Sequence, residues 1–302
     1  MFPMLRLITI VLSLSLFLVS CKSLVDATPP NATIATTIEP SYVLPPGSTQ
    51  TPNVTAVPTN TVSTSPTLNE NQKEEYIFSQ LDNNGGCDLP CWWGIIPGKA
   101  LWSDVSTNFA GLGFRSSQIK GTSKFGMGGF ALFSINTYSS VVYDVESNVI
   151  QSISITVDGA LEPEKFQEAY FYYSPDEILK NYGQPSKILL DIPAYGYGDK
   201  VGYSFWMFYE HRGFLVVYSG ATQRMEPLSI CPSFVYDQSK SRIHLYVKSS
   251  NFNLSLDVLS NSGYTKAKSF EEATGKSVSE YYYDVESNPA NICFTTPSNL
   301  WP

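Results

Sequence analysis

Apolar residues change their spacing several times along this chain, and each spacing predicts a different kind of element. The first apolar run, Leu7–Val19, is continuous and roughly a dozen residues long, which suits a signal-peptide core and is too short for a comfortable membrane span. Residues 27–68 have no apolar periodicity. Regular spacing begins near residue 69, so we expect the folded part to be 69–302.

Two segments at the start of the folded part have the three-to-four-residue apolar spacing of a surface helix. The first is predicted over residues 70–82, where Ile77 and Leu81 share a face and Asn69 is a suitable capping residue. The second begins near Leu101 and ends at the glycines that follow residue 110. Both helices are therefore short and bury one face.

After the second helix the spacing changes to the two-residue alternation of β-strands. The runs near 130–137, 140–146 and 149–157 are rich in β-branched and aromatic residues. Ser147 and Asn148 are the expected tight turn between the last two runs. We expect an antiparallel meander with one buried face.

The same order of a helix followed by a meander recurs. Ser174 and Glu177 form a predicted capping box for a short helix that a glycine ends. Three apolar runs follow it, near 186–192, 203–210 and 213–219. This recurrence predicts two units of similar construction.

The C-terminal part combines one strand with two short helices. Residues 242–249 alternate as a strand, and capping boxes at Ser269…Glu272 and Ser277…Glu280 predict the helices. The predicted fold class is α+β, with two short-helix-plus-antiparallel-meander units and a C-terminal strand and helix extension. These parts correspond to about 69–160, 161–228 and 229–302.

The hexapeptide YDVESN occurs at 143–148 and again at 283–288. The first copy lies among β-branched residues before a turn, whereas the second follows a helix cap and precedes Pro289. We expect a strand and turn at the first copy and a helix end at the second. The repeat therefore predicts no shared function.

Cys21 ends the N-terminal apolar run, and the tetrapeptide Leu18-Val19-Ser20-Cys21 resembles the bacterial lipobox. The resemblance implies removal of a signal peptide, residues 1–20, and attachment of fatty acyl chains such as palmitate to Cys21. Two or three acyl chains meet the requirement of more than one lipid for stable anchoring. The alternative is an ordinary secretory signal with a chance cysteine.

The composition of residues 21–68 predicts a disordered tether between the anchor and the folded domain. The segment Ala27–Leu68 is dominated by proline, serine and threonine, and Glu39 is its one charge, so it buries too little apolar surface to fold. Extended at ~3.1 Å per residue, it reaches on the order of 100 Å. We expect the protein at the cell membrane, lipid-anchored and facing outside the cytoplasm.

The formal net charge is -8 at pH 7 and the isoelectric point is about 4.8. A surplus of carboxylates repels phosphate, which argues against nucleic acid and against direct binding of anionic lipid headgroups. The expected partners are the membrane, reached through the lipid anchor, and a protein or glycan ligand of the folded domain.

Four cysteines of the folded part, Cys87, Cys91, Cys231 and Cys293, predict disulfides outside the cytoplasm. We favour Cys87–Cys91, which are close in the chain, and hence Cys231–Cys293, while the crossed pairings stay open. Zinc and redox sites are the alternatives. The chain has no second short-spaced Cys/His pair, and a spacing of three residues does not suit thioredoxin chemistry. No metal or cofactor is expected.

Aromatic rings are the candidates for ligand contact. Trp92 and Trp93 directly follow Cys91, and Tyr195 and Tyr197 lie in a glycine-rich loop between two predicted strands. These four rings are a candidate stacking surface for a sugar or a peptide. The alternative is that they belong to the core, and we expect at least one of the tryptophans to be mostly buried.

No residue is predicted to be catalytic. The chain lacks a Gly-x-Ser-x-Gly elbow. It has two histidines, His211 in a predicted turn and His244 in a predicted strand. Asp144 and Glu146 share one strand face and are the kind of carboxylate pair that glycoside hydrolysis uses, which keeps a polysaccharide hydrolase as an alternative.

Two resemblances involve the folded part. The combination of LPCWWGIIPG, YSPDEILKNYGQPS and CFTTPSNLWP resembles lipoproteins of Chloroflexi-type bacteria, which implies a shared domain but brings no activity with it. The helix-plus-meander order, with the equal spacings Asp104 to Gly111 and Asp176 to Gly183, resembles tandem BamE-like and β-lactamase-inhibitor-protein-like units. That resemblance implies a protein-binding scaffold.

The sequence thus predicts a lipid-anchored extracytoplasmic binding or scaffold protein of unknown ligand, and not an enzyme. The alternatives are a surface hydrolase acting on polysaccharide, and a protein inhibitor or envelope assembly factor. A hydrolase needs two carboxylates ~5–10 Å apart in a cleft. An inhibitor needs an exposed, concave sheet face that carries aromatic residues.

Overall fold

The computed structural model describes residues 68–132, 137–158, 163–193, 196–232, 242–249, 266–289 and 292–301. The predicted signal peptide, Cys21, the tether as far as residue 67 and Tyr195 lie outside these ranges. All described residues fall within one unit of the chain, Thr61–Pro302.

Capping side chains explain where most of the described helices begin. Asn69, Ser174, Ser269 and Ser277 each accept a hydrogen bond from the third residue of the helix that follows, which confirms the four predicted helix starts. No described helix is long and apolar enough to cross a membrane. The helices are α1 Glu70–Asp82, α2 Trp102–Gly111, α3 Pro163–Ala169, α4 Pro175–Tyr182, α5 Phe270–Thr274 and α6 Val278–Ser287.

The described strands form one large antiparallel sheet and one small pair. The order in the large sheet is β1-β2-β3-β4-β10-β8-β7-β5-β11, with β6 paired to the start of β7; β9 and β12 form the pair. The strands are β1 Ser116–Gln118, β2 Lys124–Leu132, β3 Thr137–Glu146, β4 Val149–Asp158, β5 Lys187–Asp191, β6 Gly196–Tyr197, β7 Lys200–Tyr209, β8 Phe214–Gln223, β9 Leu228–Ile230, β10 Arg242–Lys248, β11 Lys268–Ser269 and β12 Phe294–Thr296.

The predicted α+β class is confirmed, but the sheet is larger than the two expected meanders. Strand β10, which the sequence pattern places in the C-terminal extension, lies between them: Ile243 pairs with Val157 of β4 on one side and with Tyr218 of β8 on the other. The two meanders are therefore halves of one sheet. A strand distant in sequence joins them because its alternating apolar residues extend the same buried face.

The predicted bounds of the first strand are wrong. The run 130–137 straddles the end of β2 and the start of β3, and β2 begins earlier, at Lys124. Its first half contains the glycines of the sequence KFGMGGF, which have low strand propensity and hide the strand from a pattern of apolar residues. The register of β2 against β3 shifts between Met127 and Phe130, as at a β-bulge.

One face of the large sheet forms the main core with the helices. All six described helices contribute buried side chains to this cluster, for example Ile77 of α1, Ile178 of α4 and Tyr281 of α6. The alternating residues of the central strands, such as Leu245 and Val216, meet them from the sheet. This arrangement fixes the helices on one side of the sheet.

The opposite, outer face of the sheet is divided into an apolar and a polar half. On β5, β7 and β8 it carries a second buried cluster with Trp206, Phe208 and Leu215 at its centre. On β4 and β10 the same face carries Ser154 and His244. Because Trp206 and Phe208 are 3 % and 0 % exposed, they are not the open aromatic surface that an inhibitor needs.

The two YDVESN copies differ in structure, as predicted. Residues 143–146 lie in β3 and Ser147 and Asn148 form the turn, both with positive φ. Residues 283–287 lie instead in the last two turns of α6. The local pattern of neighbouring residues therefore decides the conformation of this hexapeptide.

Candidate functional site

The four cysteines of the folded part form two disulfides, Cys87–Cys91 and Cys231–Cys293. Their Cα atoms lie 5.8 Å and 4.1 Å apart, respectively. This is the pairing that the sequence favoured over the crossed ones. Because each of the four sulfurs is bonded to the other sulfur of its pair, none is a thiolate that could bind zinc or attack a redox partner in this state.

Asn84, which sequence reasoning missed, organises the loop that the first disulfide closes. The residue is fully buried, and its Nδ2 donates to the backbone oxygens of Cys87 and Cys91 at 2.6 and 2.7 Å. Its Oδ1 accepts a hydrogen bond from Tyr173 Oη at 2.9 Å. Its φ is 55°, a conformation that asparagine tolerates better than most residues. An asparagine directly before two glycines is the signal in the sequence.

Trp92 and Trp93 belong to the core, because they are 1 % and 8 % exposed. Their rings stack at a centroid distance of 4.2 Å. Both line a cavity of about 20 Å³ between the loop and the sheet, which has room for about one water molecule. The expectation that at least one tryptophan is buried is confirmed. Neither ring offers a face to a ligand in solution, which corrects the expectation of a tryptophan stacking surface.

The other sequence-predicted site residues lie outside the described part of the chain. This applies to Cys21, to Tyr195 and to the side chain of Tyr197. Lipid attachment at Cys21 and ligand contact at the two tyrosines therefore stay predictions.

Ser154 and His244 form the contact that best resembles a serine nucleophile activated by a histidine base. His244 Nε2 lies 2.7 Å from Ser154 Oγ, across β4 and β10. Burial lowers the pKa of His244, so the imidazole is neutral near pH 7. However, the backbone around Ser154 is paired with β3 and β10 on its two sides, so it is engaged in the sheet and is not arranged as an oxyanion hole. We interpret the pair as a cross-strand hydrogen bond.

The feature best suited to a ligand is a groove between helices α4 and α6, with a volume of about 370 Å³. This volume falls within the ~300–1,000 Å³ of typical ligand sites. The buried Leu179 and Val285 form its apolar base. The residues that line this α4–α6 groove are Asp176, Glu177, Leu179, Lys180, Tyr282, Val285, Glu286 and Pro289.

The two helices present these side chains because each buries one face only. In α4, Ile178, Leu179 and Tyr182 are buried, which turns Glu177 and Lys180 towards the rim. In α6, Tyr281 and Val285 are buried, which places Tyr282 and Glu286 beside the groove at a spacing of four residues. The groove is thus a consequence of helical periodicity in two segments about a hundred residues apart.

The rim of the groove is acidic. Three carboxylates, those of Asp176, Glu177 and Glu286, line it together with one lysine, Lys180. Lys180 Nζ pairs with Glu177 Oε1 at 2.7 Å. Glu286 accepts a hydrogen bond from Tyr282 Oη at 3.1 Å. Within the described residues, neither Asp176 nor Glu286 forms an ion pair, so the rim has a surplus of negative charge.

Several contacts hold the two helices in place around the groove. The second disulfide, at Cys293, closes the segment that follows α6, and Tyr281 Oη donates to Ile292 O of that segment at 3.2 Å. On the other side, Leu89 N of the cysteine loop donates to Tyr182 Oη of α4 at 3.0 Å. Both disulfide-closed regions therefore contact the helices that form the groove.

Sequence reasoning identified the two helices but missed the groove. Its walls come from elements that the sequence assigned to different parts of the domain, and no spacing rule brings these elements together. The available signal is an acidic residue late in α6, Glu286, in a last turn that carries no basic residue.

Comparisons with protein-family models, with curated proteins and with solved structures gave no match to this chain. The resemblances to Chloroflexi-type lipoproteins and to BamE-like or β-lactamase-inhibitor-protein-like units therefore stay predictions.

Proposed function

We propose that this protein is a lipid-anchored extracytoplasmic binding protein whose ligand site is the α4–α6 groove. The lipobox-like tetrapeptide ending at Cys21 and the tether of residues 21–68 support the anchored location. The two disulfides are in keeping with a location outside the cytoplasm.

The binding role rests on one observation: the groove combines the volume of a ligand site with an apolar base and an acidic rim. A concave site with an apolar base and a few polar groups at its edge is the usual form of a ligand site. Tyr283, next to the groove residue Tyr282, is 61 % exposed, and exposed tyrosine is a residue type enriched at binding surfaces. The groove and this ring together form a surface for a ligand of moderate size.

The location is tested with the full-length chain in a bacterial host supplied with an alkyne-tagged fatty acid. The wild-type chain is expected to carry the tag and to sediment with membranes, and Cys21→Ser is expected to lose both. An untagged wild-type chain, or a tagged Cys21→Ser chain, contradicts the anchor.

The site is tested by photo-crosslinking from a position beside the groove in the same cells. A benzoylphenylalanine that replaces Tyr283 is expected to give a discrete crosslinked product. The matched control replaces Tyr138 of β3, which is 51 % exposed but lies on the sheet, and is expected to give no such product. Identical patterns from the two positions, or no product from position 283, contradict the groove as the ligand site.

A further inference from the structure

We infer that the α4–α6 groove binds a cationic peptide segment of a partner protein, in which an arginine or lysine stands next to an apolar residue. This inference rests on the proposed function, and it adds the chemical class of the ligand. It follows from the charge of the rim, from the position of Glu286 in its helix and from the apolar lining.

The rim charge favours a cation over a neutral or anionic ligand. Lys180 is the lysine of the lining, and its charge is balanced by Glu177 at 2.7 Å. Its side chain is 70 % exposed, whereas that of Glu177 is 15 % exposed. Asp176 and Glu286 remain as two carboxylates without an ion pair among the described residues, and the net charge of -8 attracts cations from a distance.

The position of Glu286 points to the same ligand charge. Glu286 lies in the last turn of α6, a helix whose last turn has no basic residue. The C-terminal end of a helix carries partial negative charge, so a carboxylate there is unfavourable and a bound cation is favourable. A guanidinium or ammonium group at this site compensates both the carboxylate and the helix end.

The base and the aromatic rim specify the rest of the ligand. Leu179 and Val285 are buried beneath the groove, and the exposed Pro289, which also lines it, gives an apolar residue a surface to cover. The ring of Tyr282 lines the groove, and the neighbouring Tyr283 ring lies 5.4 Å from it. Tyrosine faces attract cations, arginine in particular. A basic residue beside an apolar one therefore matches both parts of the surface.

The inference is tested with the purified full-length chain and short fluorescent peptides by anisotropy. The probe contains a Leu-Arg-Leu core, and two otherwise identical peptides carry citrulline or glutamate in place of arginine. We expect the arginine peptide to bind about tenfold or more tightly than the citrulline peptide, which is neutral but similar in shape. Its affinity is expected to fall as salt is added.

Two variants and one control locate the binding. Glu286→Gln keeps an acceptor for Tyr282 Oη but removes the charge, and Asp176→Asn removes the other unpaired carboxylate. Each is expected to lower the affinity for the arginine peptide about five- to tenfold and to leave the affinity for the citrulline peptide unchanged. Glu146→Gln makes the same charge change at the exposed end of β3 and is expected to have no effect.

The outcomes separate this inference from the proposed function. Equal binding of the arginine and citrulline peptides, or equal effects of Glu286→Gln and Glu146→Gln, overturns the cationic ligand. If crosslinking from position 283 still succeeds in that case, the groove binds a ligand of another class, such as a glycan. If crosslinking also fails, both proposals are wrong.

Discussion

At the scale of single residues, the loop after α1 depends on one asparagine. Asn84 uses both ends of its amide, donating to two carbonyl oxygens and accepting from Tyr173 Oη. Buried polar groups lose free energy when their partner is removed. These hydrogen bonds of the buried Asn84 fix the loop against the core, so Trp92 and Trp93, which follow the disulfide, can be buried there.

Asn84→Ala is expected to lower the free energy of unfolding by about 2–4 kcal/mol, because it leaves two buried polar groups and one half-buried group without this partner. Urea unfolding followed by tryptophan fluorescence measures the change. Asn83→Ala is the matched control: Asn83 Oδ1 accepts one exposed hydrogen bond from Gly86 N, so its loss costs about 1 kcal/mol. Equal effects of the two variants would contradict the central role of Asn84.

His244 is expected to make stability depend on pH in the slightly acidic range. Burial lowers its pKa in the folded protein, so the unfolded state binds more protons. The free energy of unfolding therefore falls as the pH drops through ~6.5 and is restored above it. Unfolding curves at several pH values measure this slope. His244→Gln should flatten this slope, and a slope that persists in the variant would contradict the role of His244.

At the scale of elements, the sequence predicted helices better than strands. Helix starts depend on local signals, a capping serine or asparagine with its partner three residues later, and all four predicted starts are present. Strand β2 has no such signal, because its glycines contribute neither propensity nor alternation. The two YDVESN copies show the same dependence on neighbours, since one identical hexapeptide forms a strand and turn in one place and a helix end in the other.

The turn between β7 and β8 requires a glycine at position 213. Gly213 has φ 79°, and a Cβ there would lie 2.7 Å from Lys248 O of β10. Gly213→Ala is expected to lower the free energy of unfolding by about 3 kcal/mol, through backbone strain and this clash. Gly198→Ala has a similar φ, 65°, but meets nothing within 4 Å, so it should cost about 1 kcal/mol. Thermal unfolding of the two variants measures these costs. Equal destabilisation by Gly213→Ala and Gly198→Ala would exclude a contribution from the clash.

At the scale of the whole molecule, the features that sequence reasoning missed are the ones that join distant segments. Strand β10 alternates clearly in the sequence, but nothing local indicates that it separates β4 from β8. The α4–α6 groove is a similar case, because its carboxylates come from helices that each look like an ordinary surface helix. Only the packing of both helices on one sheet face brings Asp176 and Glu286 to the same groove.

The two disulfides are expected to contribute unequally to the stability of the folded domain. Cys231–Cys293 spans a sequence separation of 62 and Cys87–Cys91 one of 4. By the chain-entropy relation, removing the long bridge by the double change Cys231→Ser and Cys293→Ser should cost about 4 kcal/mol, and removing the short one about 2 kcal/mol. Urea unfolding under oxidising conditions measures both.

The long bridge is also expected to affect the groove. Cys293 follows α6, and the last turn of α6 and the residues just after it contribute Glu286 and Pro289 to the lining. Without the bridge this segment is held by the weaker contact of Tyr281 Oη with Ile292 O and by the β9–β12 pairing. Crosslinking from position 283 should therefore fall in the long-bridge variant under conditions where circular dichroism still reports a folded protein. It should persist in the short-bridge variant, because Cys87 and Cys91 lie outside both helices of the groove. A larger loss of crosslinking in the short-bridge variant would mean that the cysteine loop, through Leu89 and Tyr182, controls the groove instead.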